Sequence, residues 1–498
     1  MADTTTSALS QSISQDALDR LVRTDLLIDG SWESSLEGAR FAVTNPANGE
    51  TLANVSNAVA SDIERAVAAA QHAQIAWADL VAPERALYLR KWFELIIEQK
   101  ENLARILTLE QGKPIKEALG EIEYGAAYID WFSGEAKRIY GDVIPSKSSN
   151  LRNTVIKKPV GVVAAITPWN FPTAMLTRKL APALAAGCSV VVKPAAETPL
   201  SALALGALAL EAGIPAGVIN ILPTTHSAEF GDQICSDPHV AKITFTGSTK
   251  VGKRLAEQSA PQLKRLSLEL GGNAPFVVFA DADIPLAVKG AVASKFRNAG
   301  QTCVCANRFY IESSIYDEFV EQLISAVAEL KVGDGLADKV DIGPLINTKA
   351  VEKVKELVDG ARSDGAQQIY QATLPDDLKG SYYPPTILSR VPHGSKILRE
   401  EIFGPVISLV EFSTEEQAIA LANNTPFGLA AYFYTGCRKR LARLPLKIHS
   451  GLLGLNTGLI SNEMAPFGGV KESGWGREGS KYGMDDYLNI TSITESFE

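Results

Sequence analysis

The chain has 498 residues, 46% hydrophobic and 21% charged, the balance of an ordinary globular protein and not of a disordered chain or a collagen-like fibre. Its 48 Lys and Arg against 57 Asp and Glu leave a net charge of −9, which argues against non-specific binding to nucleic acid or to an anionic membrane. At roughly 150 residues per domain the length predicts about three units.

Residues 1–30 are rich in Ser and Thr with several Asp and few Arg, unlike a signal or transit peptide. No run of about 18 uninterrupted apolar residues follows, so a cytoplasmic location is expected. Ser61-Asp62-Ile63-Glu64 has the form of a capping box ahead of an Ala-rich helix, and Pro83 opens a helical pattern that runs to about Gly112. The N-terminal part therefore contributes a helical layer. From Gly161 the pattern alternates: strand 162–166, helix 175–186, strand 189–192, helix 199–212, strand 218–222, strand 241–245, a helix after Ser248 and a strand ending at Glu269. These strands are short and apolar throughout, as a parallel sheet buried on both faces requires. A second alternation follows Gly272, with strand 276–279, a helix through Phe296 that the apolar and basic run 291–299 prolongs, strand 307–311 and helix 316–330. The predicted fold class is α/β, with two units meeting near Gly271-Gly272, and ligands of such sheets bind outside the carboxyl ends of the strands.

Five cysteines (Cys188, Cys235, Cys303, Cys305 and Cys437) are a sparse and odd set, better suited to a reducing compartment than to a disulfide framework. The five histidines are scattered without ligand spacing, so no metal site is expected. Chemistry concentrates elsewhere. Gly300-Gln301-Thr302-Cys303-Val304-Cys305 sets a candidate nucleophile in a small, flexible segment. Pro168-Trp169-Asn170-Phe171-Pro172 and Leu268-Glu269-Leu270-Gly271-Gly272 each follow a strand and supply an amide and a carboxylate. Singly, each has an ordinary reading: a buried thiol, a turn former, a solvated acid. Together, thiol, amide and carboxylate suggest acyl chemistry on a carbonyl. Gly247-Ser248-Thr249-Lys250-Val251-Gly252 turns from strand to helix where backbone amides could meet a pyrophosphate, and Lys193-Pro194 adds a cation at the same sheet edge.

These segments, with Glu401-Ile402-Phe403-Gly404-Pro405, Pro466-Phe467-Gly468-Gly469 and Lys471-Glu472-Ser473-Gly474, stand in the order and spacing of the aldehyde dehydrogenase superfamily, which the chain resembles over nearly its whole length. The resemblance implies a Rossmann-like dinucleotide-binding domain (1–130 and 153–270), an α/β catalytic domain (271–470) and a small β oligomerisation element (131–152 and 471–498). It implies that Cys303 attacks an aldehyde, that Asn170 and the Cys303 backbone N–H hold the oxyanion, and that Glu269 acts as general base. Cofactor contacts are implied for Ile166, Thr167, Pro168, Trp169, Lys193, Ala195, Ala196, Gly247, Ser248, Val251, Leu270, Glu401 and Phe403. NAD-dependent members commonly carry Glu where this chain has Ala196; a small neutral residue there removes repulsion against a 2′-phosphate, so NADP is expected, with NAD as the alternative and neighbouring Glu197 able to restore it.

Within the superfamily, Arg178, Arg297 and Ser461 resemble the residues by which succinate-semialdehyde dehydrogenases hold the distal carboxylate of their substrate, a task suited to a guanidinium fork. The bland reading of the two arginines is as surface residues on helices. Glutaric semialdehyde is the rival substrate, because one methylene is worth only about 1–3 kcal/mol of discrimination. A second thiol at Cys305 occurs in that subfamily and suggests a redox switch through a disulfide with Cys303, beside a plain packing role. Transfer of the thioester to coenzyme A is a rival reaction, which the presence of Glu269 disfavours. A non-catalytic structural or binding member is a rival of another class, and it would have no reason to keep Cys303, Asn170 and Glu269 together. A homodimer or homotetramer is implied, joined around residues 131–152 and the C-terminal strand at 489–497.

Overall fold

The computed structural model describes residues 7–497. The apolar runs become strands flanked by helices, and Val162–Ile166, Ser189–Lys193, Ile219–Ile221 and Val240–Thr246 are buried over almost their whole length. With Arg265–Glu269 they form five parallel strands in the order Arg265–Glu269, Val240–Thr246, Val162–Ile166, Ser189–Lys193, Ile219–Ile221. The chain thus starts in the middle and builds outward in both directions, leaving a crevice at the switch point beside Val162–Ile166. Register aligns the carboxyl ends: Ile166 lies opposite Lys193 and Phe245, and Thr246 opposite Glu269. Antiparallel strands close both edges, Leu26–Ile28 with Ser31–Glu33 on one and Gly474–Trp475 on the other.

A seven-stranded sheet carries the second core, in the order Gln367–Gln371, Thr386–Ser389, Val406–Phe412, Ala306–Glu312, Ala274–Val278, Ala430–Tyr434, Leu452–Leu455. Only Gln367–Gln371 runs antiparallel. Cys303 immediately precedes Ala306–Glu312, and Glu401 to Phe403 precede Val406–Phe412, so the amino ends of this sheet face the carboxyl ends of the first. A third sheet of Asp142–Ile144, Leu151–Pro159 and Leu488–Ser496 is antiparallel and mostly exposed.

Local structure departs from the sequence pattern in four places. The helix Ala60–Asp79 starts before Ser61, and its capping carboxylate is Asp62, which accepts the Val59 N–H at 3.1 Å and the Ser35 hydroxyl at 2.7 Å. The run from Pro83 to Gly112 is two helices, Ala82–Glu98 and Lys100–Gln111, broken at Gln99. The helix predicted from 175 begins at Pro172, because the buried Glu121 carboxylate accepts the free N–H groups of Thr173 and Ala174 at 3.0 and 3.3 Å. Finally, the helix Ile284–Phe296 stops short of residue 299: Asn298 and Ala299 adopt φ of 50° and 54°, which a continuing helix forbids. Among the described residues no helix is long and apolar enough to cross a membrane.

Candidate active site

Between the facing ends of the two sheets lies a cleft of about 290 Å³. Asn170, Glu269 and Cys303 all line it, together with Pro168, Trp169, Gly247, Ser248, Leu270, Glu401 and Phe403. The close meeting of segments is visible at Gly272, where a Cβ would sit 2.4 Å from the Cys303 carbonyl oxygen. Only glycine lets the strand exit pass that near the thiol-bearing loop.

That loop is folded by its own polar side chains. The left-handed residues Asn298, Ala299 and Gly300 reverse the chain after Phe296. Gln301, fully buried, donates to the carbonyls of Asn298 (3.2 Å) and Pro344 (3.4 Å) and accepts the Ile346 N–H at 2.9 Å. Asn170 Nδ2 donates to the Gln301 carbonyl at 2.9 Å. An amide nitrogen carries two hydrogens, so a second N–H remains for the cleft. Cys303 is half-buried, and loss of hydration, with the Glu401 carboxyl nearby, pushes its thiol up to about 12. At neutral pH the thiol keeps its proton and needs a base to become a nucleophile.

Glu269 is placed for that task. It is 3% exposed, and neither carboxylate oxygen has a hydrogen-bond partner among the described residues. Burial raises its pKa well above the usual carboxylate range; the Glu478 carboxylate reinforces this, while Arg178, Lys179 and Arg477 oppose it. Arg178 and Lys179 are both buried in the helix Pro172–Ala186 and both meet Glu478: Lys179 Nζ lies 2.5 Å from Oε1 and Arg178 Nη2 lies 2.9 Å from Oε2. Arg178 also lies over the Phe467 ring at 4.0 Å, and its buried Nε has no hydrogen-bond partner among the described residues.

Arg297 and Ser461 share a small cavity with Thr302 and Tyr432, next to the thiol in sequence, with Thr302 and Tyr432 buried on its inner side and Leu459 exposed on its outer side. The Arg297 guanidinium lies 4.8 Å from the centre of the Phe171 ring. The structure therefore joins two of the three residues expected to take a carboxylate, and ties the third, Arg178, to an acid of the protein itself. Cys305 is 3% exposed, with its Sγ directed to the carbonyls of Lys295 (3.6 Å) and Ala306 (3.5 Å); it and Cys303 are free thiols.

The outer end of the cleft suits a dinucleotide. Trp169 and Phe403 meet edge to face with centroids 5.6 Å apart, and Glu401 Oε1 accepts the Gly272 N–H at 3.1 Å. Burial raises the Glu401 carboxyl to about 7. The helix Thr249–Ser259, capped by Ser248, opens at the same edge. Ile166, Thr167, Lys193, Ala195, Ala196 and Val251 lie outside the cleft walls, along the strand ends beside it. Thr167 N–H bonds the Lys193 carbonyl at 3.1 Å. Lys193 Nζ is the informative group: 5% exposed, it reaches only the Pro194 carbonyl at 3.3 Å and has no ion pair among the described residues. Burial lowers its pKa to about 8. A buried cation without a carboxylate fits a ligand that brings hydroxyl or phosphate oxygens. Ala196 is half-buried and Glu197 exposed.

Sequence reasoning missed Lys113, Glu117, Glu121 and Asn298, which brace the Asn170 and Cys303 loops, and Glu478, which sits behind Glu269. One signal was present: Arg178-Lys179 are adjacent cations in an otherwise apolar helix, and buried cations demand an acid. The acid itself lies 299 residues away from Lys179 and no local pattern reveals it.

Residues 32–493 match the model of the aldehyde dehydrogenase family. The chain is 53% identical over 470 residues to succinate-semialdehyde dehydrogenase [NADP(+)] of Escherichia coli (strain K12), covering 94% of this chain and 97% of that one. It is 52% identical over 471 residues to glutarate-semialdehyde dehydrogenase of Pseudomonas putida KT2440, covering 95% and 97%. Among solved structures, an NADP-dependent enzyme of E. coli superposes with a TM-score of 0.94 at 52% identity, covering 96% of this chain and 99% of that one.

Proposed function

The chain belongs to the aldehyde dehydrogenase family, and we propose that it oxidises succinic semialdehyde to succinate with NADP as hydride acceptor. The observation that carries this reading is the meeting of Cys303, Asn170 and Glu269 in one cleft, with Arg297 and Ser461 in a cavity directly beside the thiol-bearing loop.

Cys303 Sγ adds to the aldehyde carbon while its proton passes to the Glu269 carboxylate. The charge that develops on the carbonyl oxygen meets the second Asn170 Nδ2–H and the Cys303 backbone N–H. The chemistry that a bound nicotinamide dinucleotide supplies is acceptance of a hydride from the resulting carbon. Trp169, Pro168, Leu270, Glu401 and Phe403 would hold its nicotinamide end; Ile166, Thr167, Gly247, Ser248, Val251, Lys193, Ala195 and Ala196 would hold the remainder. Glu269 releases that first proton to solvent, then takes one from the water that attacks the thioester and returns it to the departing Cys303 sulfur, which frees the carboxylate product and the thiol. Arg297 and Ser461 fix the distal carboxylate, and Arg178 adds positive field and its unpartnered Nε while it stays paired with Glu478.

With this division of labour we take the cofactor unit as 1–130 and 160–270 and the catalytic unit as 271–470; the boundary expected at 153 moves because Leu151–Pro159 pairs within the third sheet. The remaining sheet serves self-association: Tyr140, Val143, Ile490 and Phe497 expose apolar side chains there, and such a face is normally covered by a second copy. Glutaric semialdehyde is the second reading, favoured by the relative in Pseudomonas putida that carries that name. Initial rates with succinic semialdehyde, glutaric semialdehyde and butanal, each with NADP and with NAD, decide between them. Equal kcat/KM for butanal and succinic semialdehyde would refute the carboxylate site.

A further inference from the structure

Behind Asn170 lies a buried charge pair that the reaction itself does not use. Lys113 follows the helix Lys100–Gln111, is 1% exposed, and places Nζ 2.5 Å from Glu121 Oε2. The same ammonium donates to the Asn170 backbone carbonyl at 2.8 Å and sits 3.8 Å from the centre of the neighbouring Phe171 ring. Glu121 uses its other oxygen to accept the N–H groups of Thr173 and Ala174, just beyond the Asn170 turn. Asn298 completes the frame: its side chain donates to the Asn170 carbonyl at 2.8 Å, and its N–H is held by Glu117 Oε2 at 2.7 Å.

The Asn170 carbonyl and the N–H groups just after the turn are thus anchored by side chains of other segments. Burying two charges so deeply is costly unless each is fully engaged. Hydrophobic residues of similar volume would fill that space at less cost, so the pair calls for a positional explanation.

We propose that Lys113 is a positioning residue of the oxyanion hole: its ammonium, locked by Glu121, fixes the Asn170 backbone so that the side-chain amide bonds the Gln301 carbonyl with one hydrogen and aims the other at the substrate oxygen. The inference rests on the reading of Asn170 given above, and it deepens that reading by naming what aims the amide. Loss of Lys113 frees the turn to rotate, and acyl transfer slows without loss of the thiol.

The test pairs Lys113→Met with Glu121→Gln, so that no lone charge is buried and the glutamine oxygen still accepts the Thr173 and Ala174 N–H groups. Two reactions of Cys303 are compared. Hydrolysis of p-nitrophenyl acetate moves an acetyl group to Sγ, expels p-nitrophenolate and passes through an oxyanion. Alkylation by iodoacetamide displaces iodide and forms no oxyanion. Removal of a single oxyanion donor costs roughly 10²–10³-fold in rate, so misaiming one is expected to slow ester hydrolysis by about 10–100-fold. Alkylation should keep its wild-type rate, and the same pair of substitutions in an Asn170→Ala background should cost nothing further. Unchanged ester hydrolysis would overturn the proposal. So would an equal loss in alkylation, or a full further loss in the Asn170→Ala background. Wild-type ester hydrolysis by the unsubstituted enzyme without oxidation of succinic semialdehyde would instead refute the substrate assignment alone.

Discussion

Replacing Arg297 with leucine keeps bulk beside Phe171 and removes the guanidinium from the cavity it shares with Ser461. The inner wall is Thr302 at 4% exposure and Tyr432 at 1%, and Phe171 lies against the guanidinium, while Leu459 at 60% marks the solvent-facing side, so a bound carboxylate is shielded from water on its inner side. Two charge-assisted hydrogen bonds from one guanidinium contribute roughly 1.5–3 kcal/mol each, about 3–6 kcal/mol together. At about 1.36 kcal/mol per factor of ten, kcat/KM for succinic semialdehyde should fall about 10²–10⁴-fold. Butanal, which lacks the carboxylate, should keep its kcat/KM within about threefold, since only the uniform surroundings change. Loss of the cation above Phe171 is expected to cost folding about 0.5–1 kcal/mol, read as a small fall in Tm. The assay is steady-state rates with both aldehydes at saturating NADP. An equal loss for the two would refute the assignment and make Arg297 a brace of the Cys303 loop.

Further outcomes concern the base, the cofactor and the second thiol. Glu269→Gln should lower kcat by about 10²–10⁴-fold. In the wild type, burial raises the Glu269 pKa, so its reactive, deprotonated form grows as pH rises, and kcat/KM should climb with pH above the ordinary carboxylate range. The variant should lose that limb. Ala196→Glu should set a carboxylate beside the 2′-phosphate region; repulsion of about 1–4 kcal/mol at effective dielectric constants of 20 or more predicts a shift toward NAD of roughly fivefold to nearly a thousandfold, measured as the ratio of kcat/KM values for the two cofactors. Peroxide should remove activity in a form that dithiothreitol restores, with the peptide holding Cys303 and Cys305 two hydrogens lighter by mass spectrometry; two intact thiols, or oxygen added to Cys303 alone, would exclude a Cys303–Cys305 disulfide.

The doubly wound core was legible because strands buried on both faces must be apolar at nearly every position, as Val162–Ile166 and Ala274–Val278 are. Asn170, Glu269 and Cys303 were legible for a related reason: each lies at or near the end of such a strand, where loops carry chemistry. What escaped were groups whose meaning comes only from distant partners. Ser61 read as the cap, with Asp62 merely the residue after it, yet Asp62 supplies the capping carboxylate, and Ser35 and Leu36 are folded onto it. The run through 299 read as helix because nothing in Arg297-Asn298-Ala299 announces a left-handed turn; the Glu117 carboxylate that holds the Asn298 N–H lies on another helix. Arg178 stood out as a cation within reach of the site, whereas its partner Glu478, on a loop near the C-terminus, had no local mark.

The central claim is that Cys303 carries the acyl group of an ω-carboxy aldehyde. Wild-type enzyme mixed with succinic semialdehyde and NADP, quenched in acid within the first turnover and digested, tests it by mass spectrometry, because Glu269 remains to form the thioester and acid stops its hydrolysis. The expected result is one succinyl group on the peptide that contains Cys303, absent when NADP is omitted. No adduct, or an adduct on any other peptide, would contradict it.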